Sequence, residues 1–452
     1  MTRLALASLQ HRGHAFEASF LSVFLGSSIV MAFASMLDTA FQSGVSNADK
    51  TTLTIVASVV GGWGAIIVAS AVATTLVVAA RQRAAELSLL RCVGASPDQV
   101  VTLIMRETWV LAVLAALLAL PVGYGGGHLL LAMLQQTGQV AHHIHYRFGP
   151  AALGIGLGIG VAVSMVATRL TARRVACRPV REALMEASAG GRRMSRRRFW
   201  IGVVLVGFGL DSVVMSMVMV SGKDVYDVQM IASEPCTFAG IGFALLGPLL
   251  LDRATALLAP VVRRIAGVSG ELSLASIRQR LGQAAMPLMP IIVVTSIGTG
   301  TLYMQAVTNG LHHIKDQDKS VETLNYVVVG MITVFAAVML VNLLAVVIAD
   351  RRREFAQQRV IGATPRQLLD LIGVECGVLL AVGLLFGTIG GLLTAVPFSL
   401  KTTHRVIPNA SIGIYLGVIT LVVVLTVGAS LLATRRATRT DAITILHGGG
   451  WS

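Results

Sequence analysis

One charged motif occurs twice in this chain and holds most of the polar side chains whose spacing suggests a function. The two copies occupy residues 81–99 and 351–367, and corresponding positions keep one constant offset throughout. The polar positions that repeat are Glu86 with Glu354, Arg91 with Arg359, Gly94 with Gly362 and Gln99 with Gln367. An ordinary charged turn between apolar segments would not preserve its polar positions in this way. The motif therefore indicates an internal duplication with a functional element in each copy.

Each copy predicts a helix, a sharp break and a second helix. Residues 83–93 place charged side chains on one side of a short helix and apolar side chains on the other. Gly94 stands where the C-terminus of a helix favours a positive φ angle. Ser96 is then the expected N-cap of the next helix, a proline follows it, and Gln99 takes the capping-box position. Residues 364–367 repeat the same pattern.

Other residue types that could support chemistry give weaker patterns. The chain contains no Gly-x4-Gly-Lys-Ser/Thr sequence, so it lacks the usual phosphate-binding loop, and we expect no catalytic residue and no cofactor in it. Imidazole suits zinc or copper, but His142-His143-Ile144-His145 has no cysteine or carboxylate beside it, and we expect no metal site. The four cysteines show neither metal-ligand nor disulfide spacing and are expected to be reduced thiols.

Two glutamates, Glu107 and Glu375, are expected near the inner ends of predicted membrane spans. A carboxylate inside a membrane is costly and suggests a function. At the interface, however, it can extend to water or pair with Arg91 or Arg359. We therefore expect a structural role for both glutamates.

The composition places these motifs in an all-α integral membrane protein. The chain is 55% hydrophobic and only 13% charged, with a mean hydropathy of +0.77. A soluble protein would carry roughly twice this charged fraction. The net charge of +14 does not point to a nucleic-acid partner, because nearly all of the cations lie in short segments between apolar runs.

About ten transmembrane helices are predicted, because each of ten runs is long and apolar enough to cross a bilayer. The third and ninth are longer than a bilayer requires, and the sixth is the shortest. The predicted spans are Phe16–Leu37, Thr54–Ala80, Leu103–Leu134, Ala151–Thr168, Phe199–Val220, Cys236–Leu251, Met286–Thr308, Leu324–Ala349, Leu368–Val396 and Ile412–Ala433.

The distribution of charge predicts the orientation. With both termini in the cytoplasm, 29 of the 36 lysines and arginines lie on the inner side, as the positive-inside rule requires. The outer segments are all short and offer no room for a folded domain.

The duplication extends beyond the charged motif. Residues 6–12 match residues 274–280 at the same offset, and both read as an amphipathic helix on the inner membrane surface. The spans therefore group as four, two and four in parallel repeats. The predicted domains are a first four-span unit at 1–185, a basic linker with a two-span insert at 186–270, and a second four-span unit at 271–452.

The motif Glu-x4-Arg-x2-Gly-Ala-Ser/Thr-Pro-x-Gln, followed by a span with an early glutamate, resembles the FtsX-like permease family. These proteins are the membrane subunits of MacB-type (type VII) ABC transporters. The resemblance implies that residues 81–99 and 351–367 are cytoplasmic coupling helices, each docking on an ATPase subunit. The residues it places at the ATPase contacts are Arg83, Glu86, Arg91, Gly94, Arg351, Glu354, Arg359 and Gly362.

The same resemblance implies the partners and the location. Two copies of a separate ATPase would bind ATP and magnesium, and the permease would lie in a bacterial inner (cytoplasmic) membrane with several spans. The expected function is export or extraction of a hydrophobic or amphipathic compound, such as an antimicrobial, a peptide or a lipid-like molecule, as in efflux and antibiotic resistance. The alternatives are a signalling or regulatory subunit that transports nothing, and an ion-driven secondary transporter.

Overall fold

The computed structural model describes residues 13–60, 94–136, 138, 140–176, 194–218, 234–310, 357–406 and 411–438, together with positions 72, 330, 333, 340 and 344. Within these ranges the regular structure is helical and includes no strand. The helices in chain order are α1 (Gly13–Ala40), α2 (Asn47–Ile55) with a π-helical turn (Val56–Val60), α3 (Pro97–Leu118), α4 (Leu120–Gln136), α5 (Pro150–Ala176), α6 (Arg196–Val218), α7 (Glu234–Leu245), α8 (Gly247–Gln279), α9 (Leu281–Ala284), α10 (Leu288–Asn309), α11 (Pro365–Thr403) and α12 (Ile412–Thr438).

Seven stretches of described helix are long and apolar enough to cross a membrane, and the bent pair α7 and α8 adds an eighth if it is counted as one span. The expectation of an all-α membrane protein is therefore confirmed. The predicted second and eighth spans, Thr54–Ala80 and Leu324–Ala349, lie mostly outside the described residues. The ten-span arrangement of four, two and four remains a prediction.

Two predicted spans are interrupted at positions that the apolar pattern concealed. The third span breaks at Ala119 between α3 and α4, where Pro121 cannot donate a backbone hydrogen bond to the preceding turn. The sixth span, expected to run through Cys236–Leu251, bends by 73° between α7 and α8. Gly247-Pro248 follows this bend and explains it, since a proline disfavours helical continuation from the residues before it.

The described residues up to 176 form one compact unit. Its central helix is α1, which contacts α3, α4 and α5. The buried side of α1 is rich in small hydroxyl side chains, and Ser28, Ser35 and Thr39 each donate a hydrogen bond to a carbonyl of their own helix. These side chains satisfy their polar atoms within the helix, so neighbouring helices can pack closely.

The described residues at 194–310 and from 340 onward form a second compact unit, whereas positions 330 and 333 belong to the first. Its central helix is α10, which is the counterpart of the membrane-spanning part of α1 at the offset of the duplication and packs mainly on α11. Helix α7 lies against both of them: Ser296 Oγ donates to the carbonyl of Cys236 at 2.7 Å, and the Cys236 N–H donates to Thr394 Oγ1 at 2.9 Å. Helix α6 packs on α7. The predicted boundaries 1–185, 186–270 and 271–452 remain predictions.

Candidate functional site

The turn in each copy of the charged motif has the same backbone conformation. Gly94 has a φ angle of 107° and Gly362 one of 108°. In the second copy, residues 357–360 are helical, the Gly362 N–H donates to the Arg359 carbonyl at 3.0 Å, and the Ala363 N–H donates to the Gln358 carbonyl at 2.9 Å. This pair of bonds closes a helix C-terminus on a glycine. The predicted positive φ at both glycines is confirmed.

A complete capping box follows each glycine. In the first copy the Gln99 N–H donates to Ser96 Oγ at 3.3 Å, and the Ser96 N–H donates to Gln99 Oε1 at 3.0 Å. In the second copy Gln367 and Thr364 exchange the same two bonds, at 3.3 and 2.9 Å. These bonds satisfy two otherwise unpaired backbone groups and fix the direction in which the next helix starts. Both predicted capping boxes are confirmed.

The helices that start at the capping boxes are anchored in their units by buried apolar side chains. In the first copy, Val100 and Ile104 of α3 pack with Ala172 of α5. In the second copy the equivalent residues of α11, Leu368 and Ile372, are also buried. Each turn is therefore joined rigidly to a membrane-spanning helix.

The second turn is also anchored to the helix that precedes the central span. Ser273 Oγ of α8 donates to the carbonyl of Leu371 in α11 at 3.0 Å, and Leu274 and Ile277 are buried on the same side. These residues belong to, or directly precede, the predicted amphipathic segment 274–280, which is helical through Gln279. The segment therefore packs with its apolar side on the protein.

The tip of the second turn presents apolar side chains that the sequence reasoning missed. Val360 is 63% exposed and Ile361 is 87% exposed, whereas Arg359 is only half-exposed. Exposed branched side chains at the end of a helix suit contact with a partner protein. The signal was present in the sequence, because Val93 in the first copy occupies the position of Ile361.

The two turns differ in charge just after the cap. Asp98 lies in the first turn of α3, where an acidic side chain is favoured by the positive end of the helix. The equivalent residue of α11 is Arg366, and both side chains are exposed. The two surfaces thus share a backbone conformation but not an electrostatic character.

Only part of the predicted contact set falls within the described residues. Gly94, Arg359 and Gly362 lie at the turns as expected. The other five predicted residues lie outside the described part of the chain, and their role as ATPase contacts remains a prediction. They are Arg83, Glu86, Arg91, Arg351 and Glu354.

The two predicted interface glutamates lie near the N-terminal ends of α3 and α11, each about three turns after the start of its helix. Glu107 is buried. Glu375 lines a small, partly open pocket of about 40 Å³ within the second unit, and residues of α8, α9 and α11 contribute to its walls. Arg280 and Gln283 contribute polar groups to this pocket, and Leu379 contributes an apolar wall. Glu107 is thus enclosed by the protein and Glu375 is half-buried, and the structural role of both remains a prediction.

The segment 140–149, which the charge distribution predicts to lie on the outer side, is anchored by side chains of the first unit. Asp38, near the end of α1, accepts hydrogen bonds from the N–H groups of Gly149, Ala151 and Ala152 at 3.0, 3.0 and 2.8 Å. The carboxylate therefore satisfies the N-terminus of α5. Burial raises the pKa of the Tyr146 phenol above its usual value.

The expected absence of a metal site concerns the same segment. His142, His143 and His145 are exposed on it. Among the described residues, no three or more histidine, cysteine, aspartate or glutamate side chains come close enough to hold a metal ion. Cys236 and Cys376 are buried thiols that are not in a disulfide, whereas Cys92 and Cys177 lie outside the described ranges.

One acidic residue within a span was also missed by sequence reasoning. Asp211 lies inside α6, and its side chain is exposed, whereas Gly209 and Ser212 are buried. A carboxylate at such a position is costly in lipid. The sequence feature that could have identified Asp211 is its position as a single charge in an otherwise apolar run.

Comparison with known families supports the duplication. The profile described as FtsX-like permease C-terminal matches residues 58–179 and again residues 326–442, which together make up more than half of the chain. The starts of the two matches, at positions 58 and 326, differ by the same offset as the two turns. No curated protein matches the chain at a significant level. The chain therefore belongs to the FtsX-like permease family, as the membrane-spanning permease subunit of an ABC transporter with two FtsX-like repeats.

Proposed function

We propose that two copies of a separate ATPase drive this permease through its two turns, and that the permease moves a hydrophobic or amphipathic compound out of the membrane. ATP and magnesium would be bound by the ATPase. The observation that carries the proposal is the pair of turns with φ angles of 107° and 108°, each followed by a capping box and an anchored helix. Because the first turns of α3 and α11 are anchored by buried side chains, a displacement of either turn would be transmitted to the membrane span that follows it.

The exposed tip supports a protein contact. Ile361 and Val360 would be costly to leave in water, and a groove on the ATPase surface would cover them. The acidic and basic residues predicted for the same motif, Glu354 and Arg359 among them, would then form the polar rim of the contact.

The coupling assignment is tested by charge reversal. Glu86→Arg and Glu354→Arg together are expected to abolish co-purification of the ATPase with the permease in detergent. Glu271→Arg, an exposed acid outside both turns, is the matched control and should leave co-purification intact. If the double variant retains the ATPase as well as the control does, the turns are not the contact.

The apolar tip gives a second test within the described residues. Ile361→Asp places a charge in the proposed groove and is expected to weaken ATPase binding by at least tenfold in a titration. The control is Val406→Asp, because Val406 is similarly exposed but follows the outer end of α11. Equal binding by the two variants would remove Ile361 from the contact.

Reconstitution of the permease and its ATPase in liposomes, with no other protein present, distinguishes transport from signalling. Liposomes that contain the permease and its ATPase should show ATP hydrolysis that rises with added antimicrobial peptides or lipid-like compounds. The short external segments favour this outcome, because they offer little surface to an external protein partner. Hydrolysis that responds only to an added external protein would favour the signalling alternative. Hydrolysis-independent transport driven by an ion gradient would favour a secondary transporter.

A further inference from the structure

The bend after α7 lies beside the basic start of α6. Arg198 Nε donates a hydrogen bond to the carbonyl of Leu245, the last residue of α7, at 2.9 Å. Gly202 packs near Leu246 and Gly209 packs near Ala239, so α6 and α7 run antiparallel. Since the charge distribution assigns the basic start of α6 to the cytoplasm, the bend lies at the cytoplasmic end of this pair of helices. Helix α8 therefore begins at the cytoplasmic end of α7 and makes an angle of 73° with it.

The part of α8 before Gly267 has one side that packs on the second unit. Leu251 and Thr255 are fully buried, and Leu258 and Val262 pack against the same apolar cluster. At Gly267 the φ angle is 53° and the helix breaks, which separates this part from the residues that follow. We call residues 247–266 the surface segment.

A second side of the surface segment is apolar and exposed. Leu257 is 78% exposed, Val261 is 50% exposed and Ile265 is 81% exposed. Their spacing of four residues places them in one stripe along the helix. Such a stripe is costly in water, so something apolar is expected to cover it.

Arginines flank this stripe. Arg253 lies one helical turn before Leu257, and Arg264 lies two turns after it, and both side chains are exposed. Arg263 lies on the face of the helix opposite the stripe and pairs with Glu271 at 3.1 Å. Two guanidinium groups thus border the apolar stripe, and a third is engaged with a carboxylate.

A lipid surface fits this arrangement better than the bilayer interior or another protein. Asp252, Arg253, Arg263 and Arg264 make the surface segment too polar to cross the hydrocarbon core. A helix that begins at the cytoplasmic end of a span and turns by 73° is already at the depth of the headgroups. An apolar stripe bordered by arginines is the pattern of helices that lie in the membrane interface.

We propose that the surface segment lies in the headgroup region of the inner leaflet and binds anionic lipid. Leu257, Val261 and Ile265 insert below the phosphates, while Arg253 and Arg264 bind phosphate groups through their planar, multiply donating guanidinium groups. Arg263 faces the aqueous side. This lipid contact adds to the proposed function and does not depend on the identity of the transported compound.

Depth measurements on the full-length permease in vesicles test the insertion. Single cysteines replacing Val261, Ile265 or Arg263 are labelled with a fluorophore, after replacement of the native Cys92 and Cys177. The vesicles contain phosphatidylcholine and phosphatidylglycerol with shallow spin-labelled lipid. We expect the labels at 261 and 265 to be quenched by the lipid and at least threefold less by aqueous iodide than the label at 263.

Two results of the quenching experiment would overturn the proposal. Equal iodide quenching at the three positions would overturn the proposal, since the stripe would then face water. Protection of 261 and 265 that appears only after the ATPase is added would also overturn it, because the cover would then be a protein.

The arginines are tested by lipid retention. Each arginine near an anionic surface contributes roughly fivefold to binding, so Arg253→Gln with Arg264→Gln should weaken phosphatidylglycerol binding by roughly 25-fold. Arg263→Gln is the matched control and should retain the lipid, as measured by mass spectrometry of the purified protein. Inorganic phosphate should not displace the lipid; if it does, the site binds free phosphate instead. Equal lipid retention by the two variants would exclude Arg253 and Arg264 as ligands.

Discussion

Gly94 and Gly362 occupy equivalent positions in the two copies of the charged motif and adopt the same conformation, with φ angles of 107° and 108°. Open space surrounds the position of an added Cβ atom at both glycines. A side chain there would therefore meet no neighbour, and any cost of substitution comes from the backbone alone.

Gly94→Ala and Gly362→Ala are each expected to destabilise the turn by about 1–3 kcal/mol, because L-residues rarely adopt these φ angles. The measurement is hydrogen exchange of the turn together with ATPase co-purification. Gly373→Ala in α11 is the matched control, since its surroundings are equally open and its φ angle is not positive. Unchanged exchange in the turn variants would contradict the strain argument.

The capping boxes predict a smaller, graded effect. Thr364→Ala removes the acceptor for the Gln367 N–H and is expected to cost about 0.5–2 kcal/mol of local stability. Thr364→Ser retains the hydroxyl and should behave as the wild type in the same exchange experiment. The capping role would be wrong if the serine and alanine variants exchanged equally fast.

The turns were predictable from sequence because their determinants are local. A glycine, a capping residue and a glutamine three positions later specify the break wherever the chain is placed. The bend at Leu246 was also encoded, by Gly247-Pro248, but the surrounding apolar residues hid it within a predicted span. The packing of α7 between α10 and α11 depends on contacts such as that of Ser296 with Cys236, which no local pattern reveals.

The contact of Asp38 with the start of α5 provides a stability test in the first unit. Asp38→Ala leaves three N–H groups at the start of α5 without their carboxylate and is expected to cost about 1–3 kcal/mol. Thermal unfolding in detergent is the measurement. Asp252→Asn changes an exposed acid and should shift stability by less than about 0.5 kcal/mol. Equal melting temperatures for the two variants would show that the clamp contributes nothing.

Asp211 tests whether a charge inside a span is retained for function. Asp211→Leu is expected to raise thermal stability, because it removes a costly carboxylate, and to lower compound-stimulated ATP hydrolysis at least tenfold. Met215→Leu, on the same helix and also exposed, is the control and should change neither. A stable and fully active Asp211→Leu variant would assign the carboxylate no role in transport.

Helix α10 packs closely on α11. A Cβ atom added to Gly391 would lie 2.8 Å from the Cβ of Thr299 and 3.1 Å from the backbone nitrogen of Gly300, both in α10. Because backbone cannot move aside as a flexible side chain can, Gly391→Ala is expected to force the helices apart and cost about 1–3 kcal/mol.

Gly377→Ala is the matched control on the same helix, since nothing lies within 4 Å of its added Cβ atom. It should be neutral or slightly stabilising, because alanine favours a helix more than glycine does. Thermal unfolding of both variants in detergent measures the difference. Equal unfolding temperatures for the two variants would contradict the close contact between the backbones of α10 and α11 at the glycines 300 and 391.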